Sequence, residues 1–496
     1  MPADSPLESA GGASAPTPDG PPAATPDAGS SHPVVTSVSH REAAALRPSA
    51  SPADAREAAA LQPPAGTPAD TAASPVRAPA GGARLAWLDA LRGIAALFVV
   101  FDHLSTHVLQ SVRGEVYQVI DPGLFGVFVF FLVSGYIVPA SLERKGSVRT
   151  FWVSRLFRLF PLFIVAVAAV FVLHGTGLTG LRDTNAHPTQ YVLAHLFMLS
   201  DLLGGVNIIN VLWTLSYEMV FYLLLTALFT VGIHKRSGWY ALALAAGALL
   251  LGGVLPRMLV DRSAFGGTRT ALVADIAVMG GLAFAVAGHR FSRTLGALLA
   301  GATGLTLVLI NERAQPYEGL TILALMFTGT LLYRAERGQV NRRLAWLIAL
   351  VVFACTMAAG AWHIGGGGHS AVVMIQERRW VVSLILAMLL FGLGLVLRKL
   401  PVPAALAWLG LVSYSIYLLH PLLVDIYTQL SWTKGHHPLL EQFGLAIGFL
   451  AVLLACCAVT YYLVEAPMQR LGRRLAKHLD ARRGPDRITD PQMQPG

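Results

Sequence analysis

Apolar runs of about 17 to 25 residues recur from residue 84 almost to residue 464, and a run of that length can satisfy its backbone across a bilayer only as a helix. They fall near 84–109, 124–142, 156–174, 211–233, 239–255, 271–287, 294–310, 318–333, 344–362, 380–397, 404–427 and 441–464. The chain therefore reads as an all-α polytopic membrane protein of about ten to twelve transmembrane helices. With 54% hydrophobic and 13% charged residues, the composition agrees. The net charge of +9 does not point to nucleic acid, because the basic residues sit in short loops between the runs. Arg144, Lys145, Arg149, Lys235, Arg236, Arg290, Arg293, Arg334, Arg337, Arg342, Arg343, Arg398 and Lys399 share one side, which places both termini in the cytoplasm. The membrane expected is the bacterial inner membrane.

Residues 1–83 are rich in Ala, Pro, Ser and Thr, contain REAAAL twice, at Arg41 and Arg56, and carry almost no large apolar side chains. They read as a disordered, low-complexity cytoplasmic tail. No cleavable leader precedes the first run, so that run is expected to act as its own insertion signal. The transmembrane domain covers 84–470, and a basic cytoplasmic tail covers 471–496. The three cysteines, Cys355, Cys456 and Cys457, lie within apolar runs and form no disulfide or zinc pattern.

The first run, RLAWLDALRGIAALFVVFDHLSTHVL, carries Asp89, Arg92, Asp102, His103 and His107. Each ionisable group in hydrocarbon costs about 2.5 kcal/mol or more, so a cluster of them points to function. Arg92 and His103, eleven residues apart, share one helix face about 16 Å apart along the axis. Arg155 and Arg158, in FWVSRLFRLFP, share the face of another helix at its cytoplasmic end. Two guanidinium forks suit phosphate, though the same spacing also serves membrane anchoring. Glu218, in LWTLSYEMVFYLLL, is a lone carboxylate in an apolar helix, a partner for Arg92 or His103 or a packing hydrogen bond. His420 in SYSIYLLHP reads as an interfacial anchor, and Glu465 as a partner of Arg470 or Arg473. HIGGGGHS, from residue 363, reads as a flexible outer loop, since two histidines do not make a metal site.

Six stretches, LDALRGIAALFVVFDH, GVFVFFLVSGYIV, SRLFRLFP, LWTLSYEMVFYLL, SYSIYLLHP and YYLVEAPMQRL, together resemble the membrane-bound type-3 acyltransferase family, which includes O-antigen and exopolysaccharide O-acetyltransferases. One departure is Phe128, where members of that family often have an acidic or polar residue. The resemblance implies transfer of an acyl group, commonly acetyl, from cytoplasmic acyl-CoA to a hydroxyl of a cell-envelope glycan or lipid-linked sugar, with no metal. An alcohol needs a positioned base at neutral pH, and His103 has the suitable chemistry. His103 is thus expected to take the hydroxyl proton or carry the acyl group, with Glu218 or Asp102 orienting its ring. Arg92, Arg155 and Arg158 are expected to hold the phosphates or pantetheine of CoA. The alternative is a secondary transporter or glycan exporter, which the absence of an inverted repeat and of major-facilitator loop patterns disfavours.

Overall fold

The computed structural model describes residues 86–178, 188–260, 266–366, 368, 370–430 and 437–483. The expected N-terminal tail, both REAAAL segments, His369 and residues 484–496 lie outside these. The described residues form helices and no strand.

The chain runs back and forth between a basic end and a far end. Helix α1 (Ala86–Ser105) leads to the short α2 (Gln110–Val116) at the far end. α3 (Pro122–Lys145) begins where the Asp121 side chain accepts the Leu124 amide at 2.9 Å with Pro122 just inside, an arrangement that satisfies one orphan donor and removes another. It stops at Gly146, whose φ of 63° is a left-handed cap. Ser147 then caps α4 (Val148–Gly175) by accepting the Thr150 amide. At the far end again lie α5 (Pro188–Leu196) and a loop folded on itself, before α6 (Trp213–Val231) returns. α7 (Ser237–Leu251), α8 (Gly266–Ala287), α9 (Arg290–Ile310), α10 (Pro316–Glu336), α11 (Arg342–His363) and α12 (Ala371–Leu397) follow in alternation. α13 (Ala404–Leu411) and α14 (Ser413–Gln429) meet at a bend of 67°. α15 (Leu439–Thr460) passes through a π turn, Tyr461–Glu465, into α16 (Ala466–Arg483).

Among the described residues, eight helices are long and apolar enough to cross a membrane, or nine if α13 and α14 form one broken span. α1 and α10 are of similar length but carry three charged residues each, and α7 has only 15 residues. Hydropathy alone undercounts such helices because the bundle, not lipid, surrounds them: α10 is buried at nearly every position.

Lipid offers no hydrophobic drive between helices, so close backbone approach and dispersion must hold the bundle. α3 and α10 show this most clearly. A Cβ on Gly135 would lie 1.9 Å from the Met326 carbonyl oxygen, and one on Gly329 would lie 2.2 Å from that of Leu132. Thr330 Oγ1 donates to Gly135 O at 2.9 Å across the same seam. Gly135→Val should therefore separate the two helices and cost about 3 kcal/mol or more, read as a lower thermal midpoint in detergent. In the other half, Gly281 and Gly296 approach reciprocally between α8 and α9, which makes Gly281 a packing residue within one chain.

Two buried polar networks pin the ends. At the basic end, fully buried Arg334 bonds Glu143, Gln339 Oε1 at 2.8 Å and His234 O at 3.0 Å. At the far end, Tyr217 donates to Glu312 at 2.6 Å and lies 3.5 Å from Asp201, which accepts from Asn207 at 3.3 Å. Burial raises the Asp201 carboxyl and holds that of Glu312 well above the usual range. A carboxyl raised on folding contributes stability below its unfolded value and loses it as pH climbs through the folded value. The thermal midpoint should accordingly fall as pH rises above about 5, and Glu312→Gln should flatten that slope.

Candidate active site

His103 sits on the last turn of α1, where its Nδ1 bonds Val99 O at 3.0 Å. His420, one turn beyond Tyr417 on α14, bonds Ile416 O through its own Nδ1 at 3.0 Å. Each histidine is thus pinned by a carbonyl of its own helix, which places the neutral ring's proton on Nδ1. His420 Nε2 then faces His103 Nδ1 at 3.4 Å, with ring centroids 4.9 Å apart at 70°. His420 is fully buried, whereas the His103 side chain is 25% exposed. The outcome is one accessible imidazole whose Nε2 keeps its lone pair, fixed from behind by a second imidazole.

Asp102 turns away from this pair. Its backbone and carboxylate oxygens accept from Arg113 Nη1 at 2.7 and 3.3 Å, and Arg113 also lies 3.8 Å over the Tyr117 ring. Its separation from His103 Nδ1 is 3.7 Å, beyond hydrogen-bond range. Glu218 is not at His103 either. It accepts from Tyr222 OH, one turn along α6, and from Ser134 Oγ on α3 at 3.4 Å. The group the structure sets against His103 is His420, a contact that the expected role of His420 as an interfacial anchor does not include.

Glu218 and Arg92 instead line a small chamber of about 60 Å³, together with Phe130, Phe131, Leu215 and Tyr417. The Tyr417 hydroxyl is fixed by Thr214 Oγ1 at 2.7 Å and Val211 O at 3.1 Å. Toward the far end its ring lies 6.1 Å from that of His420. Tyr414, one turn the other way, donates to Leu159 O at 2.9 Å and ties α14 to α4.

Beyond the chamber, at the basic end, lies a cavity of about 880 Å³. Seven basic side chains line it: Arg144, Lys145, Arg155, Arg158, Arg337, Arg473 and Lys477. The three carboxylates in its wall are each held from behind by an arginine outside it: Glu143 by Arg334, Glu336 by Arg398 at 2.8 Å, and Asp480 by Arg149 at 3.6 Å. The cavity therefore keeps an unbalanced positive charge. Arg155 stacks over Tyr222 at 5.1 Å and Phe151 at 5.3 Å, and its buried Nε has no hydrogen-bond partner. Tyr222 thus links the arginine of the cavity to the carboxylate of the chamber.

α16 forms the cavity's outer wall. Its Asp480 accepts from Thr150 Oγ1 at 3.0 Å, and a Cβ on Gly472 would lie 2.6 Å from Phe157 Cβ, so the helix lies flat along α4. The residues from 471 that read as a basic tail begin inside this helix. The π turn before it rotates Glu465 inward, where it is buried and accepts from Ser415 rather than from Arg470 or Arg473. Of the HIGGGGHS stretch, His363 bonds Leu249 O at 3.0 Å and stacks on Tyr317. No group of three metal-binding side chains occurs among the described residues. Phe128 is a core residue, edge-on to Trp380 at 5.2 Å.

Known proteins match parts of the chain. Nodulation protein 10 of Rhizobium leguminosarum bv. viciae is 32% identical over 177 residues, 32% of this chain and 48% of that protein. Acyltransferase MdmB of Streptomyces mycarofaciens is 29% identical over 177 residues, 34% of this chain and 45% of that protein. The chain thus spans about half the length of these relatives. No solved structure matches. An acyltransferase-domain family model matches residues 85–464, which include the chamber, the histidine pair and the cavity lining other than α16, and the chain belongs to that acyltransferase family.

Proposed function

We propose that the protein is an integral-membrane O-acyltransferase that moves an acyl group, commonly acetyl, from cytoplasmic acyl-CoA to a hydroxyl of a cell-envelope glycan or lipid-linked sugar. The observation that carries this reading is the order of the three features along the bundle: an anion-attracting cavity, a narrow chamber, and an accessible imidazole. CoA carries a diphosphate and a 3′-phosphate at one end and its thioester at the other, so it needs a basic site at a distance from the chemistry. Arg155 and Arg158 hold the phosphates, with Arg337, Arg473 and Lys477 sharing the load, and the pantetheine arm runs past Arg92 into the chamber. Placing the basic cavity in the cytoplasm follows the positive-inside rule.

His103 Nε2 takes the proton of the acceptor hydroxyl, the oxygen attacks the thioester carbonyl, and the carbon–sulfur bond breaks. The proton then passes from the imidazolium to the departing CoA thiolate, giving an ester and free CoA. His420 acts as a positioning residue, because its Nε2 accepts from the Nδ1–H side and favours the imidazolium that forms. His420→Ala should lower kcat about 100-fold while leaving KM for the donor unchanged, since misplacement of a base by an ångström costs that much.

The direct test is thiol release by the full chain in detergent, with acetyl-CoA and an envelope glycan fraction as acceptor. Release that depends on both substrates supports the reading. Absence of release, with the glycan instead accumulating inside cells that lack the gene, would favour an exporter.

A further inference from the structure

The last turn of α1 sets two ionisable side chains next to each other, and the surrounding residues keep them from pairing. Asp102 Oδ2 lies 3.7 Å from His103 Nδ1. An ionised carboxylate that close to an imidazole favours the imidazolium, which has no lone pair to take an acceptor's proton. Around the pair stand His107, one turn further along α1, His420 on α14, Asp121 at the start of α3, Arg113 on α2 and Arg379 on α12. The state of His103 therefore depends on what holds Asp102.

Arg113 holds it. Its Nη1 donates to Asp102 Oδ1 at 3.3 Å, to the Asp102 carbonyl at 2.7 Å and to Ser105 Oγ at 3.1 Å. One cation thus neutralises the carboxylate and satisfies a carbonyl at the open end of the helix that carries His103. The guanidinium is itself fixed, because it lies 3.8 Å over the Tyr117 ring, with Arg379 5.0 Å over the same ring and donating to Tyr117 O. α3 leaves the space that the carboxylate occupies. A Cβ on Gly123 would lie 2.5 Å from Asp102 Oδ2, so a larger residue there would displace it.

We propose that Arg113 is a positioning residue for acyl transfer, which by engaging the Asp102 carboxylate leaves His103 a neutral base at physiological pH. The proposal rests on the reading of His103 as the base, and it adds a residue that lies outside the six stretches carrying the family resemblance. With Arg113 in place, Asp102 is paired with a cation that keeps its proton throughout the working range. Without it, His103 is the group within 3.7 Å that can take up a proton and compensate the carboxylate.

The experiment compares the full chain in detergent as wild type, Arg113→Gln, Arg113→Lys, and Arg113→Gln combined with Asp102→Asn. Gln still offers a donor to the Asp102 carbonyl but no charge, whereas Lys keeps the charge. If Arg113→Gln folds poorly, Arg113→Met, which keeps the packing on Tyr117, takes its place. The first readout is the pH dependence of thiol release from acetyl-CoA with the glycan fraction as acceptor. Arg113→Gln is expected to move the acid limb of kcat/KM up by about one pH unit, a loss of about tenfold below the limb that vanishes above it. Arg113→Lys and the double variant are expected to return the limb to within about 0.3 pH unit of wild type.

The second readout needs no turnover. In protein carrying isotope-labelled histidine, the His103 ring resonance, identified by its loss in His103→Gln, should titrate at higher pH in Arg113→Gln than in wild type. An acid limb and a His103 titration that both stay in place, with or without a loss equal at every pH, overturn the proposal and leave Arg113 a helix brace. A limb shift that Asp102→Asn does not reverse also overturns it. Full transfer by His103→Ala overturns the base reading, and with it a role for Arg113 in transfer, whatever the titration shows.

Discussion

His103→Ala should reduce acyl transfer by about 10²–10⁴-fold, the range that a positioned base contributes, while the protein inserts in the membrane and binds CoA as before. The separation of effects follows from distance along the bundle. His103 lies at the far end of α1, against His420, and lines neither the chamber nor the basic cavity. No neighbour can substitute for it. His420 is fully buried behind the ring, and the Asp102 carboxylate is engaged by Arg113. The check is single-turnover transfer from radiolabelled acetyl-CoA beside equilibrium binding of CoA, and lost binding in the variant would show that His103 belongs to the donor site.

The opposite signature is expected at the other end of the site. Arg158→Ala should raise KM for acetyl-CoA about 10- to 100-fold with a much smaller change in kcat, because a hydrogen bond to a charged group contributes about 1.5–3 kcal/mol. Arg158 is the cleaner probe of the two arginines. Arg155 is 6% exposed and packs on Phe151 and Tyr222, so its removal also takes away packing and loosens the residue that bonds Glu218. Steady-state kinetics across donor concentrations decides the matter, and a fall in kcat at unchanged KM would contradict phosphate binding by Arg158.

Much of this was legible in the residues because it is written in local periodicity. Run length and loop charge outlined the helices, and the eleven-residue spacing put Arg92 and His103 on one face. What periodicity cannot supply is the partner. His420, before a proline and among aromatics, has the same local signature as an interfacial anchor, and only a contact across 317 residues of sequence shows what it faces. Glu218 was placed on the right kind of helix, but spacing alone could not choose between Arg92 and His103. The structure sets it in the chamber with Arg92.

The basic loops show a related ambiguity. Arg334, Arg337 and Arg473 all satisfy the positive-inside pattern, yet Arg334 is buried in a structural network while Arg337 and Arg473 line the cavity. A rule that reads charge by side of the membrane cannot separate these fates, because burial is decided by which helices meet. Glu465 departs from the expected pairing with Arg470 or Arg473 for the same reason. Its helical phase changes at a π turn, which adds a residue to one turn and swings the carboxylate from the basic face toward Ser415.

The central claim is that the basic cavity, the chamber and His103 form one path for an acyl group leaving CoA. Its most direct test is mass spectrometry of envelope glycans from cells carrying the wild-type gene, the His103→Ala gene, or none. An added mass of about 42 Da per modified sugar, the mark of an acetyl ester formed by base-assisted transfer, is expected with the wild type and with neither of the others. The same added mass at full level in cells carrying only His103→Ala would contradict the account.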